Sequence, residues 1–412
     1  MKTLTYMLSI LILTFVFSCK SLEKNGNENK PLTTYPPVET GEANTDYKPA
    51  FEGQTRAPGL KTTTPFEVKV KAEGLARPWG ITPLPDGRLL ITEKAGNMLI
   101  ATTEGQLSGK ITGFPAINSG GQGGLQGLAL APDFKTSRII YFAFSENNPD
   151  ATVGGSVAAI AKGKLSADET KIEQVQVIYR ALPYWKSTGH YGGRMIFDKE
   201  GNIFYISGER SNVEARVKAQ DLDNTFGKVV HITPEGKPVP NGPFAKTPGA
   251  FPEIYSFGHR NPLGVDFHPV TGDLWVVEMG PRGGDELNLI KPGKNYGWSA
   301  VTYGIEYSGA TIEGGITQRD DVEQPVYYWD PVVSPGGMTF YRSSEIPEWK
   351  NSLFVAGLSS KHIARLVIRD NKVVGEERIM EDQGQRVRDV TELNGVLFAI
   401  TDEGRLYRIG KK

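Results

Sequence analysis

Residues 257–298 read FGHRNPLGVDFHPVTGDLWVVEMGPRGGDELNLIKPGKNYGW. One strand-like run, Asp273-Leu274-Trp275-Val276-Val277, stands between two polar loops. The first loop is Gly258-His259-Arg260-Asn261-Pro262 and the second is Gly280-Pro281-Arg282-Gly283-Gly284-Asp285-Glu286. Glycine and proline set sharp turns there and leave carbonyls free of any ladder. Carbonyls beside carboxylates are the oxygen ligands that a hard cation takes. The Arg260-Asn261 pair offers donors to an anionic or carbonyl-rich ligand.

The strand phrase in this stretch, PVTGDLWVVE ending at Glu278, recurs along the chain. Earlier copies are PDGRLLITE ending at Glu93, PDFKTSRIIYFAF ending at Phe144 and DKEGNIFYISGE ending at Glu209. Later ones are IPEWKNSLFVAG ending at Gly357 and LNGVLFAITDE ending at Glu403. Each pairs a turn with an alternating, β-branched or aromatic strand, and the body of the chain carries no sustained helical period. Strand-based repeats of this size predict an all-β fold, a six-bladed β-propeller with four-stranded antiparallel blades. A pair of β-sandwiches would leave the repetition unexplained.

The chain has 412 residues, a formal net charge of −1, one cysteine and five histidines. Near-neutral charge gives no reason to expect nucleic acid or an anionic membrane surface as partner. Lys2 and the apolar run Leu4–Phe17 read as a signal peptide over residues 1–18. Val16-Phe17-Ser18-Cys19 resembles a bacterial lipobox, which would make Cys19 a lipidated first residue and the only link to a membrane. Residues 19–62 are rich in Lys, Glu, Asn, Thr and Pro without apolar period, and a disordered tether is expected there. The folded domain is expected over residues 63–412.

Propellers gather the loops of one face around a channel, so the loops flanking the repeats are the places to look for chemistry. Gln122 lies in SGGQGGLQG, which fails a dinucleotide fingerprint and opens no helix. His190 lies between glycines, and Glu209 follows at the far end of the next strand, a general base with an orienting carboxylate. No G-x-S-x-G, H-E-x-x-H or paired-cysteine motif accompanies them. Lys361 follows the fifth repeat strand. Arg386 and Arg388 precede the sixth, on one side of an extended segment and with no acid between them. Such a pair suits a polyanion.

Taken in order, GQGGLQGLALAPDF, GHYGGRMIFDKEGNIFYISGE, AQDLDNTFGKVVHI, GHRNPLG, EMGPRGGDELNLIKPGKNYGW, SPGGMTFY and QRVRDV resemble the soluble sugar dehydrogenases that depend on pyrroloquinoline quinone (PQQ). The likeness runs from about Gly74 to Ile409 and is nearer to the aldose-sugar branch than to the glucose-specific one. It implies a six-bladed propeller that oxidises aldoses at C1 to lactones, with PQQ and Ca²⁺ as cofactors and an external electron acceptor. It also implies roles for residues. His190 would be the base, Glu209 its orienter, and Arg260 and Asn261 the contacts to the quinone carbonyls. Gln122, Thr302, Tyr303, Gly304, Lys361, Arg386 and Arg388 would hold the cofactor. The backbone of Gly280 and Pro281 would hold one calcium, and Glu286 with the backbone of Tyr296 a second. Met279 departs from the pattern, where histidine is more usual. The competing functions are a non-catalytic propeller module and a calcium-dependent lactonase.

Overall fold

The computed structural model describes residues 32–412. The signal-peptide and lipobox readings therefore lie outside the described residues. Six antiparallel sheets follow one another along the chain, each one blade. Five have four strands. The first has three, Pro78–Pro83, Leu89–Glu93 and Asn97–Ala101, and its outer edge is completed only by isolated bridges at Leu107 and Ile111.

The recurring phrase is the second strand of every blade: Leu89–Glu93, Ile139–Asn147, Ile203–Ser207, Leu274–Glu278, Leu353–Gly357 and Val396–Thr401. These strands are apolar on both faces rather than on one, because each is sandwiched between neighbouring blades. Side chains alternate with a period of two, so Phe204 and Ile206 pack toward the fourth blade, while Ile203 and Tyr205 pack toward the second. Six such clusters, one between each pair of neighbouring blades, close the ring. The first strands, Pro78–Pro83, Leu125–Leu130, Arg194–Phe197, Pro262–Phe267, Pro335–Phe340 and Val387–Leu393, contact one another in sequence around the channel. The ring is latched by Phe66–Ala72, which pairs with the last strand, Leu406–Lys411.

The tether expected through residue 62 needs correction from residue 34 onward. That segment lies along the outer edges of the fourth and fifth blades. The Gln54 carbonyl accepts from Tyr328 N–H at 2.9 Å, and Leu60 N–H donates to the Glu376 carbonyl at 2.7 Å. Asp330 accepts from the backbone N–H of Asn44 at 2.7 Å and of Thr45 at 3.1 Å. An unpaired sheet edge demands hydrogen-bond partners, and a polar, Pro-rich segment supplies them without an apolar period. Among the described residues no helix is long and apolar enough to cross a membrane.

Candidate active site

In each blade the start of the first strand lies beside the end of the second, as Pro262 lies opposite Glu278 and Val387 opposite Thr401. A β-bulge interrupts the register near this end in the blades that begin at Pro78, Leu125, Pro262, Pro335 and Val387. Bulges re-aim side chains and stop pairing, which frees these ends to face the channel. A cleft of about 360 Å³ opens there.

Gln122, Asn261, Arg386 and Arg388 line this cleft, as expected from sequence. So do Arg77, Trp79, Lys94, Gln126 and Asp402, which sequence reasoning missed. Lys94 and Asp402 follow or close second strands, as Glu209 does, and Arg77 precedes a first strand, as His190 does. Superposing the repeats in register would have found them.

His190 borders the cleft beside its lining residues Gln122 and Tyr191, and is 7% exposed. Its backbone is left-handed, with φ 41°, and its N–H donates to the Gln122 amide oxygen at 2.8 Å. Nδ1 lies 2.6 Å from Glu209 Oε1, and the other Glu209 oxygen accepts from Ser211 N–H at 2.9 Å. The carboxylate therefore fixes the proton on Nδ1 and leaves Nε2 as the basic atom. Burial, then the charge on Arg260, holds the imidazole below the usual histidine range, against the opposing pull of Glu209. Gly208 must be glycine, since a Cβ there would lie 2.3 Å from the His190 carbonyl oxygen.

Arg260 follows in the next blade. Its Nη1 donates to the carbonyls of Met279 at 3.0 Å and Gly280 at 2.6 Å, and its Nε is buried without a partner. Asn261 accepts from Gly192 N–H at 3.3 Å, tying the two loops together. Its amide nitrogen faces the Met279 sulfur at 4.0 Å, so the methionine is part of the site.

Arg386 and Arg388 do share one side, but they are not without an acid. Both donate to Asp402, Arg388 through Nε at 2.8 Å and Nη2 at 3.1 Å, and Arg386 through Nε at 3.0 Å. Burial pushes the Asp402 carboxyl up, and the two guanidiniums more than reverse this. Even so, the cleft presents Arg77, Lys94, Arg386 and Arg388 against this one carboxylate, a surplus of three positive charges. Lys94 is held below the usual lysine range by burial, then by Arg77 and Arg388.

Five expected cofactor residues do not line this cleft, and one of them, Arg260, lies against a second, smaller cavity instead. Lys361 sits in an exposed turn with φ 57°, and its neighbour Leu358 lines the cleft instead. Tyr303 is buried, stacks on Tyr328 at 4.1 Å and donates to Gln324. Gly304 packs against Gly283 and Pro281. Thr302 borders the same smaller cavity, of about 10 Å³, space for one water-sized atom.

That cavity joins Gly280, Glu286 and Tyr296 with Arg260 and Glu278, merging parts of the two expected metal sites; Pro281 is not among its walls. Burial, then the neighbouring charge of Glu278, pushes the Glu286 carboxyl well up. Asn288 donates to both carboxylates, at 2.9 and 3.1 Å, and its own amide oxygen is buried without a partner. No group of three or more His, Cys, Asp or Glu side chains is placed to hold a metal among the described residues. Two carboxylates, Glu278 and Glu286, set against the single Arg260 guanidinium and beside the Gly280 carbonyl leave a net negative charge that fits a hard cation.

The family profile for glucose/sorbosone dehydrogenase matches residues 75–408. The aldose sugar dehydrogenase YliI of Escherichia coli K12 is 39% identical over 352 residues, covering 84% of this chain and 93% of that protein. The crystal structure of the soluble E. coli aldose sugar dehydrogenase in its apo form superposes with a TM-score of 0.80, covering 84% of this chain and 100% of that one. The PQQ-bound aldose sugar dehydrogenase of Streptomyces coelicolor is 25% identical, with a TM-score of 0.69 over 85% of this chain and 100% of that one.

Proposed function

The chain belongs to the glucose/sorbosone dehydrogenase family, and we propose that it is a PQQ- and calcium-dependent dehydrogenase oxidising aldoses at C1 to lactones. One observation carries the reading: a cleft with three surplus positive charges lies beside a buried His190–Glu209 pair. The surplus matches a tricarboxylate, and a buried histidine with its carboxylate is a base. When bound, PQQ would supply the acceptor for the hydride that leaves C1. Arg77, Lys94, Arg386 and Arg388 would hold its carboxylates, and Arg260 and Asn261 would face its carbonyls.

The chain's own residues then divide the remaining work. His190 Nε2 takes the proton of the C1 hydroxyl, and Glu209 steadies the resulting imidazolium through Nδ1–H. The Arg260 guanidinium, whose Nε–H is buried without a partner, would stabilise the negative charge that grows on the cofactor carbonyl. Glu286 and Glu278, with the carbonyl of Gly280, would hold calcium. A propeller serving only as a binding module has no use for this base pair, and a lactonase has none for the cationic surplus. With PQQ bound, the two electrons taken from C1 would reside on the cofactor, so turnover would need an external acceptor.

The reading is tested by reconstitution. Protein mixed with PQQ and calcium should gain a reduced-cofactor spectrum on adding an aldose, and no spectral change with any aldose would reject it. Arg388→Ala should weaken PQQ binding by about 1.5–3 kcal/mol, the range for hydrogen bonds to charged groups. Arg386→Ala should cost less, because its side chain is 42% exposed against 20% for Arg388. Reconstitution titrations with unchanged affinity in both variants would exclude them from the cofactor site.

The N-terminal reading adds a location. An export signal followed by Cys19 supports a lipid anchor facing the periplasm or cell surface. Wild-type protein should then partition with membranes and Cys19→Ala should be released; equal release of both would leave only a cleaved signal.

A further inference from the structure

Two histidine–glutamate pairs occupy the same place in neighbouring blades. His190 and Glu209 stand 19 residues apart, and so do His259 and Glu278. The first pair borders the cleft, whereas His259 is 0% exposed. His259 Nδ1 lies 2.8 Å from Glu278 Oε1, its Nε2 lies 2.9 Å from Ser256 Oγ, and its ring stacks on Tyr296 at 4.6 Å. Serine, histidine and glutamate in this order mimic a hydrolytic triad. Ser256 is also 0% exposed, so no substrate reaches it.

What the pair holds is Arg260. Glu278 Oε2 accepts from the Arg260 backbone N–H at 2.6 Å. The Arg260 guanidinium in turn donates to the two carbonyls that follow Glu278. On its other side, Glu278 Oε1 accepts from Asn288, which also donates to Glu286 Oε2. A continuous chain of hydrogen bonds therefore links Glu286 through Asn288 and Glu278 to the backbone of Arg260, whose guanidinium closes the same small cavity.

We infer that His259 and Glu278 are positioning residues, coupling a cation in the small cavity to the placement of Arg260. The inference rests on the electrostatic role proposed above for Arg260. Its physical basis is crowding. Glu278 and Glu286 repel one another in a water-poor cavity, and a cation between them draws both inward. Glu278 cannot move alone, because His259, Asn288 and the Arg260 N–H are bonded to it. Buried networks of this kind transmit displacement, since breaking any one bond leaves an unsatisfied polar group.

The test uses the full-length protein reconstituted with PQQ and calcium. Terbium is the metal probe, because Trp298 and Tyr296 line the cavity and can sensitise its luminescence. His259→Leu should bind terbium and PQQ with wild-type affinity, yet lose about 10–100-fold in kcat at unchanged KM, the usual effect of a supporting partner. His259→Asn, whose amide N–H replaces Nδ1–H, should recover most of that loss. Glu278→Gln should lose terbium affinity and kcat together. Wild-type kcat in His259→Leu would overturn the inference. So would a joint fall of kcat, terbium affinity and Tm that His259→Asn does not rescue, the mark of a merely structural role. A wild-type protein that oxidises no aldose would instead overturn the functional reading itself.

Discussion

Replacing His190 by alanine is expected to slow the chemical step by roughly 10²–10⁴-fold, the usual contribution of a positioned base. PQQ and calcium binding should be nearly intact, since the His190 side chain is bonded to Glu209 and is among the lining residues of neither cavity. The backbone contact to Gln122 runs through the His190 N–H and survives the substitution. Alanine is a poor fit for φ 41°, however. His190→Asn is the better-matched control, because asparagine tolerates left-handed backbone. Both variants should be slow if the imidazole is the base. The pH profile carries a second signature. Burial and Arg260 hold the His190 imidazole below its ordinary value, so it stays neutral in mildly acidic solution. The acid limb of kcat/KM should therefore fall below pH ~6.5, the unperturbed histidine value. Glu209→Gln removes the group that opposes this shift. It should move the limb further toward acid while lowering the rate by less than His190→Ala does. Single-turnover stopped flow decides the matter: His190→Ala reducing bound PQQ at the wild-type rate would remove His190 from the mechanism.

The propeller was legible because the second strand of every blade must be apolar on both faces and end in a tight turn. Leu274–Glu278 and Ile203–Ser207 stand out for that reason. The first strands were not legible as strands. Segments such as Pro262–Phe267 and Pro335–Phe340 begin with proline, contain glycine and carry bulges, so they read as loops. The latch between Phe66–Ala72 and Leu406–Lys411 joins the two ends of the fold, a pairing that no local pattern announces.

The site followed the same logic. His190, Glu209, Gln122 and Asn261 sit in glycine-rich loops whose composition is odd for a connector, and they met where expected. Arg77, Lys94 and Asp402 were missed because they flank ordinary-looking strands and have meaning only once the ring closes. Asp402 also shows why Arg386 and Arg388 seemed uncompensated. Its carboxylate comes from the neighbouring strand's turn, 14 residues beyond Arg388. Thr302, Tyr303, Gly304 and Lys361 were placed by likeness to a motif, which gives chain position and not side-chain direction.

Removing PQQ and calcium together should abolish aldose oxidation, and either alone should fail to restore it. The reason lies in the two cavities. The main cleft concentrates Arg77, Lys94, Arg386 and Arg388 against Asp402, an arrangement that repels itself until an anion enters. The smaller cavity sets Glu278 and Glu286 against the one guanidinium of Arg260, a net negative charge that a cation would offset. Each ligand thus relieves strain that the folded chain carries by itself, and each should raise stability as well as activity. A ligand that binds only the native state at one hundred times its Kd adds about 2.7 kcal/mol to stability. Thermal melts should therefore rise with PQQ and rise again with calcium. Arg388→Ala should blunt the first step and Glu286→Gln the second. Chelation should reverse the calcium step and slow turnover, because Arg260 lies against the same small cavity. Full activity in chelator without added quinone, with melts indifferent to both ligands, would reject the assignment of either cavity.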